Sequence, residues 1–230
     1  MTSEHETYDR SFDELRTGFT AAVSHELRTP LARILVLLES ADLPGADVHA
    51  LIAQARDEVE NAGALIDEIL FLSELESGRE VVALGRTRAL PVLKNVIEDL
   101  DDSAARAGVQ LAVEGDDVEL PLRPRMLRIL TVNLVENAIR YAGHGARCTL
   151  SVRRAGELGI LTVADDGAGV DAETLERLFE RFYRGDAART SRGTGLGLAI
   201  VKHLVAAAGG EVEADGSRGH GLRIRATFPL

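Results

Sequence analysis

Two apolar stripes with helical spacing dominate the first third of the sequence, and they limit the folds open to the chain. The first predicted helix covers residues 11–41 and the second runs from Asp47 to about residue 77. A Pro-Gly turn joins them, with Asp47 as the expected N-cap of the second helix. The stripes comprise Phe19, Val23, Leu27, Pro30, Ile34 and Leu38, then Leu51, Ala55, Val59, Ala62, Ile66 and Ile69.

A single pair of helices cannot bury both stripes, so this hairpin needs a partner. The simplest arrangement is a four-helix bundle built from two chains. We therefore predict a homodimer through residues 11–77. Docking of the hairpin on the remainder of the same chain is the alternative.

The polar face of the first helix carries a candidate nucleophile. His25 lies about half a turn away from the apolar stripe, next to Glu26, and Thr29 follows one turn later on the same face. Pro30 cannot donate a hydrogen bond to the Glu26 carbonyl, which predicts a kink beside His25. An exposed imidazole beside a carboxylate can act as a nucleophile. A solvated surface histidine would show the same pattern.

After residue 78 the sequence changes to a mixture of short helical and alternating patterns. We predict helices over residues 90–107, 124–142, 171–182 and 195–208, and strands over 80–85, 109–113, 148–152, 159–164, 211–214 and 222–228. This order favours an α+β sandwich with helices on one face of a sheet. The predicted divisions are a flexible segment or connector (1–10), the hairpin (11–77), a linker (78–84) and a second domain (85–230).

Charge and cysteine content restrict the class of protein. A formal net charge of -11 argues against nucleic acid or an anionic membrane as the main partner. Cys148 is the only cysteine, which excludes an intrachain disulfide and favours a reducing compartment. No apolar run reaches the roughly 18 residues needed to span a bilayer. We expect a cytoplasmic chain, or the cytosolic part of a membrane-anchored protein.

The helix predicted from residue 124 carries two amides on one face. Asn133 and Asn137 are one turn apart, and Arg140 and Tyr141 follow them. Carboxamide oxygens suit Mg²⁺, and the arginine and tyrosine can contact phosphate oxygens. A surface polar pair without a ligand is the alternative.

Two glycine-rich motifs flank a basic segment in the second domain. The carboxylate of Asp165, in the sequence Asp-Asp-Gly-Ala-Gly, can accept a hydrogen bond from an exocyclic amine such as that of adenine. The sequence from Gly193 to Leu198 opens a predicted helix whose free amides can hold anions, but no strand precedes it, which excludes a Rossmann fingerprint. The segment between them can fold over a triphosphate or be an ordinary loop, and it contains Phe179, Phe182, Arg184, Arg189 and Arg192.

Taken in order, these motifs resemble those of one family, the sensor histidine kinases of two-component systems. The resemblance covers their transmitter core, about residues 11–230. The motifs are similar to the H box (Ser24 to Leu31), the N box (Asn133 to Tyr141), the G1 box (Asp165 to Gly169), the F box (Leu178 to Arg184) and the G2 box (Gly193 to Leu198).

The resemblance implies a HisKA-type dimerisation domain followed by an ATP-binding domain of the Bergerat (GHKL) type. By position, His25 would accept phosphate from ATP, Glu26 would activate it, and Thr29 would help to place a hydrolytic water on a phosphorylated regulator. Asn137 and Asn133 would hold Mg²⁺. The implied nucleotide-binding residues are Asn133, Asn137, Arg140, Tyr141, Asp165, Gly167, Gly169, Arg184, Gly193, Thr194, Gly195, Leu196 and Gly197.

The resemblance also implies partners and a reaction: autophosphorylation, transfer to a receiver aspartate of a response regulator, and phosphatase activity on that regulator. The sequence departs from the family pattern at Ala168, Asp166 and Arg123, and its last glycine-rich box is reduced to Gly219-His-Gly221. An ATPase of the gyrase and Hsp90 type would need a glutamate where Asn133 stands, because an amide cannot accept a proton from water. A silent dimeric scaffold would tolerate decay of the ATP motifs, and none is seen.

Overall fold

The computed structural model describes residues 23–76, 85–185 and 193–230. Phe19, Arg189, Arg192, most of the predicted strand over 80–85 and the predicted segments 1–10 and 78–84 lie outside these ranges. The chain divides into two compact units, Met1–Phe71 and Leu72–Leu230. The division at residue 77 that the sequence suggests stays a prediction.

The first unit is a helical hairpin. Helix α1 is described over residues 23–41, and α2 spans Val48–Glu76. The Ala50 N–H donates to Asp47 Oδ1 at 3.1 Å, which confirms the predicted cap. An ion pair of 3.5 Å joins Arg33 on α1 to Glu58 on α2.

Much of the apolar surface of this hairpin is exposed to solvent in a single chain. Ala55 and Leu65 are buried, whereas Leu31, Leu35 and Leu38 are 61%, 57% and 51% exposed. Those three leucines lie on α1. On α2 the large exposed apolar side chains are Val48, Ile52, Val59, Ile66 and Leu70. Within a single chain, the hairpin therefore covers only part of its apolar surface. Leu38 of the first predicted stripe, and Val59 and Ile66 of the second, are exposed, as expected of a hairpin that cannot bury both stripes alone.

The second unit has four helices and seven strands in the part of it that is described. The helices are α3 (Ala89–Ala107), α4 (Pro124–Tyr141), α5 (Ala172–Arg177) and α6 (Gly197–Ala207). The strands are β1 (Thr87–Arg88), β2 (Gln110–Gly115), β3 (Glu119–Leu120), β4 (Arg147–Ala155), β5 (Leu158–Asp165), β6 (Glu211–Gly216) and β7 (Leu222–Pro229).

The main sheet has the strand order β2-β4-β5-β7-β6. Strands β2 and β4 are parallel and the other neighbours are antiparallel. Alternate residues of β4 and β7 are buried while their neighbours are not, since α3, α4 and α6 pack against this sheet. The resulting core includes Leu130, Leu134, Leu150, Leu161, Val201, Ile224 and Phe228. The predicted sandwich is confirmed.

The structure adds to and corrects the predicted elements in two places. Strands β1 and β3 form a separate two-stranded sheet that the sequence pattern did not indicate. Helix α5 ends at Arg177, not at residue 182, because Phe182 adopts φ 59° and its N–H donates to the Gly195 carbonyl at 2.9 Å. None of the described helices is long and apolar enough to cross a bilayer.

Candidate functional site

His25 projects into solvent from α1. Its side chain is 76% exposed, and its Nδ1 lies 3.6 Å from Oε1 of Glu26. The Thr29 hydroxyl donates to the His25 carbonyl at 3.4 Å. The three residues predicted to act together in the first unit are therefore neighbours, with one ring nitrogen beside a carboxylate and the other directed away from it.

In the second unit, one face of α4 carries the predicted amide pair. The Asn133 Nδ2 donates to the Ile129 carbonyl at 2.9 Å. Its Oδ1 faces the start of α6, since a Cβ added at Gly197 would lie 2.4 Å from it. Arg140, one turn after Asn137, is paired with Glu136 at 2.8 Å. Asn133 thus presents an oxygen to the space next to α6, where a side chain at position 197 would displace it.

The glycine-rich segment before α6 packs along the same face of α4. A Cβ at Gly193 would lie 3.2 Å from the Tyr141 hydroxyl and 3.3 Å from Arg140 Nη1. The hydroxyl of Thr194 accepts from the Leu196 N–H at 3.2 Å. Helix α6 begins at Gly197 without a side-chain cap. Its first amides are therefore available to anionic oxygens.

Asp165 is the last residue of β5. Its Oδ1 accepts from the Gly167 N–H at 2.9 Å. Burial raises the pKa of the Asp165 carboxyl, while hydrogen bonds from the Gly167 and Leu222 amides act in the lowering direction. A Cβ at Gly167 would lie 2.1 Å from the Ala142 carbonyl oxygen, so this loop lies directly on the end of α4. The arrangement holds a half-buried acceptor in a fixed position.

Two departures from the family pattern have structural explanations. The Ala168 N–H donates to the Ala142 carbonyl at 2.8 Å, a bond that the usual proline could not make. Asp166 Oδ1 accepts from the Arg147 N–H at 2.6 Å and so holds the loop to β4. Cys148, opposite Asp165, is buried, and its pKa is raised to about 12 by burial and by that carboxylate. Its thiol is therefore neutral and not a nucleophile.

The segment between α5 and residue 186 is fixed on both sides. The Tyr183 hydroxyl donates to Thr174 Oγ1 at 3.4 Å, and the Arg177 guanidinium lies 4.2 Å from the centre of the Tyr183 ring. The bond from Phe182 to Gly195 joins this segment to the start of α6. Arg184 is half-buried just before residue 186. The two ends of the predicted lid are therefore close together.

The structure groups the predicted residues into two sets. His25, Glu26 and Thr29 belong to the first unit, and the predicted nucleotide-binding residues belong to the second. Sequence reasoning missed Glu136, the partner of Arg140, and Arg218, which is bound to Asp171. The helical spacing of Glu136 and Arg140 could have identified the first pair. Nothing in the sequence links Arg218 to Asp171.

Two family models match the chain. Residues 15–78 match the His Kinase A (phospho-acceptor) domain. Residues 122–230 match the histidine kinase-, DNA gyrase B- and HSP90-like ATPase domain. Sensor histidine kinase WalK of Bacillus subtilis is 34% identical over 239 residues, which cover 97% of this chain and 38% of WalK. The chain thus spans well under half the length of that relative.

Solved structures agree with the fold. ShkA in complex with AMPPNP is 26% identical, with a TM-score of 0.68 over 91% of this chain and 45% of ShkA. ThkA in complex with the response regulator TrrA is 20% identical, with a TM-score of 0.74 over 96% of this chain and 63% of ThkA. Both similarities extend over nearly all of this chain and so include both compact units.

Proposed function

Because the chain belongs to the two-component sensor histidine kinases, of which it carries the transmitter core, we propose that it transfers the γ-phosphoryl group of ATP to His25. The phosphoryl group then passes to an aspartate of a response regulator. The observation that carries this proposal is the exposed imidazole beside Glu26, in a chain whose second unit has a helix start without a side-chain cap and a fixed carboxylate at Asp165.

The imidazole of His25 is suited to attack on phosphorus. Glu26 lies beside Nδ1 and favours the tautomer with the proton on that nitrogen, which leaves Nε2 its lone pair for the attack. As the Nε2–P bond forms and the bond to the leaving diphosphate breaks, the ring becomes positively charged. The carboxylate of Glu26 stabilises this charge and takes up the Nδ1 proton. Positioning and charge neutralisation supply most of the catalysis in phosphoryl transfer.

The second unit fits ATP at both ends of the molecule. Asp165 accepts from the adenine amine, and the free amides at the start of α6, with Arg140 and Tyr141, hold phosphate oxygens. ATP binding by this chain is supported by the ATPase-domain match, and ShkA has been solved with AMPPNP.

The donor set also fits Mg²⁺. In the described part of the chain, no three His, Cys, Asp or Glu side chains cluster as a metal site. Asn137 and Asn133 would hold the ion through their oxygens, together with phosphates and water. When bound, Mg²⁺ neutralises phosphate charge. Hydrolysis of the gyrase type is not favoured, because the amide of Asn133 cannot accept a proton from water.

The direct test is incubation with γ-labelled ATP and Mg²⁺. We expect the label to enter the protein in a form that is lost in acid and stable in base, as expected of a phosphoramidate. Label that is stable in acid and lost in base would argue against the proposal. So would the absence of label on a protein that binds ATP.

The hairpin is the proposed dimer interface. Its exposed leucines Leu31, Leu35 and Leu38 recur at intervals of four and three residues on α1, which is the spacing of a helical bundle seam. Burial of one such side chain contributes about 1.5–3 kcal/mol. The HisKA match supports the same assignment.

Replacement of Leu35 by glutamate should convert the dimer to a monomer, because it places a charge in this seam. Light scattering coupled to size exclusion would report the mass. Leu158→Glu is the matched control, since Leu158 is 44% exposed in the second unit and should leave the dimer intact. A parent protein that is monomeric, or a Leu35→Glu protein that stays dimeric, would contradict the interface.

We further propose that Thr29 supports dephosphorylation of the regulator. Its hydroxyl lies one turn beyond His25 on the exposed face. Thr29→Ala should slow release of phosphate from the phosphorylated regulator by at least about tenfold, the scale of losing a group that assists proton transfer from water. Labelling of His25 should stay near the parent rate, and Thr29→Ser should retain phosphatase activity. Equal dephosphorylation by Thr29→Ala and parent would exclude this role.

A further inference from the structure

The loop between β6 and β7 lies directly against the loop that carries Asp165. The Gly219 N–H donates to the Ala168 carbonyl at 2.7 Å, and the Gly221 N–H donates to the Gly167 carbonyl at 3.0 Å. A Cβ at Gly221 would lie 1.9 Å from the Asp165 carbonyl oxygen. The two backbones are thus in direct contact, so movement of one loop requires movement of the other.

An ion pair ties this hairpin loop to the start of α5. Arg218 Nη2 donates to Asp171 Oδ2 at 2.8 Å across 47 positions of the sequence. The other oxygen of Asp171 accepts from the Thr174 N–H at 2.8 Å and caps α5. The pKa of Asp171 is lowered to about 2, mainly by the hydrogen bond from Arg218 and next by those from Thr174. The carboxylate therefore stays charged, with both oxygens engaged, at neutral pH.

We propose that Arg218 is a positioning residue for adenine recognition. Through its ion pair with Asp171, it holds in place the loop that begins at Asp165. The inference rests on the ATP binding proposed above. Asp171 lies two residues after Gly169, so the ion pair fixes the far end of the loop that Asp165 begins. The bond from Ala168 to Ala142 and the two glycine bonds fix its middle. An acceptor must be held within a fraction of an ångström to discriminate between bases.

An ordinary surface ion pair would add to stability and nothing else, and the side chain of Arg218 is 79% exposed. The two roles differ in what they change. A purely structural pair would alter the melting temperature but not the preference for adenine over guanine. A positioning pair would alter that preference, because guanine carries a carbonyl where adenine has its amine, and a carbonyl cannot donate a hydrogen bond to Asp165.

The test compares ATP and GTP binding to the whole chain after Arg218→Gln. We expect ATP affinity to fall by about two- to fivefold, the range for loss of a surface ion pair, with GTP affinity unchanged. The rate of His25 labelling at saturating ATP should match that of the parent. Arg218→Lys should recover part of the loss. Asp171→Asn should reproduce it, because asparagine still caps α5 while the charge is removed.

Arg223→Gln is the matched control. It removes the same charge from the same hairpin, where Arg223 is paired with Asp215 at 3.8 Å, and should leave both affinities unchanged. The inference is overturned if Arg218→Gln and Asp171→Asn keep the ATP-to-GTP ratio of this control. It is also overturned if both nucleotides lose affinity equally. A parent that binds neither nucleotide would instead refute the proposed function, and this inference with it.

Discussion

A His25→Gln protein is expected to bind ATP as tightly as the parent and to take up no label from it. Glutamine keeps the polarity and approximate size of the side chain but has no nucleophilic nitrogen. The residue belongs to the first unit, whereas the residues assigned to ATP belong to the second, so nucleotide affinity should not change. Labelling with γ-labelled ATP and binding of a fluorescent ATP analogue, measured on the same preparation, separate the two effects.

His49→Gln provides the control for this experiment. His49 is an exposed histidine of α2, and its replacement should leave labelling intact. Label that persists in His25→Gln would show that another residue accepts the phosphoryl group. If both variants lost the label, the effect would lie in the hairpin rather than in one imidazole.

The second large effect is expected at Asp165. Replacement by asparagine keeps an oxygen that can accept from the Gly167 N–H but turns an N–H₂ group toward the adenine amine. ATP affinity should fall by roughly ten- to hundredfold, since a hydrogen bond to a charged group is worth about 1.5–3 kcal/mol. Calorimetric titration with ATP would measure the loss. Asp102→Asn, on the exposed side of α3, should bind ATP like the parent.

The same substitution should also change how the stability of the fold depends on pH. Because burial raises the pKa of Asp165 above its usual 3.8, the folded protein holds this proton more tightly than the unfolded chain. The parent therefore loses stability as pH rises from about that value through the folded pKa, and asparagine does not. As pH rises from about 3.8, the melting temperature of Asp165→Asn should therefore increase relative to that of the parent. A variant that binds ATP normally, or unfolds at neutral pH, would contradict this assignment.

The fold was predictable where the sequence has strong periodicity. Two strand-like segments on either side of a turn at Gly156, and helical spacing from Pro124 to Tyr141, give elements that the structure confirms within a few residues. Strands β1 and β3 are two residues long, too short for any period to show. The left-handed backbone of Phe182 and its bond to Gly195 exclude this residue from α5, and no local pattern contains that tertiary bond.

The candidate site was predictable as a set of residue types but not as a set of contacts. Helical spacing alone is enough to place Asn133, Asn137 and Arg140 on one face of α4. The close approach of Gly197 to Asn133 and the pairing of Arg218 with Asp171 depend on how the chain folds back. Periodicity likewise showed that Leu38 lies on an apolar surface, but not which helix would cover it.

Phosphorylation-site mapping measures the central claim most directly. The protein would be incubated with ATP and Mg²⁺, digested under alkaline conditions and sequenced by tandem mass spectrometry. We predict the phosphoryl group on the imidazole of His25, in the peptide that contains Glu26. Phosphate on a different residue, or an unmodified His25 in a protein that binds ATP, would contradict the account.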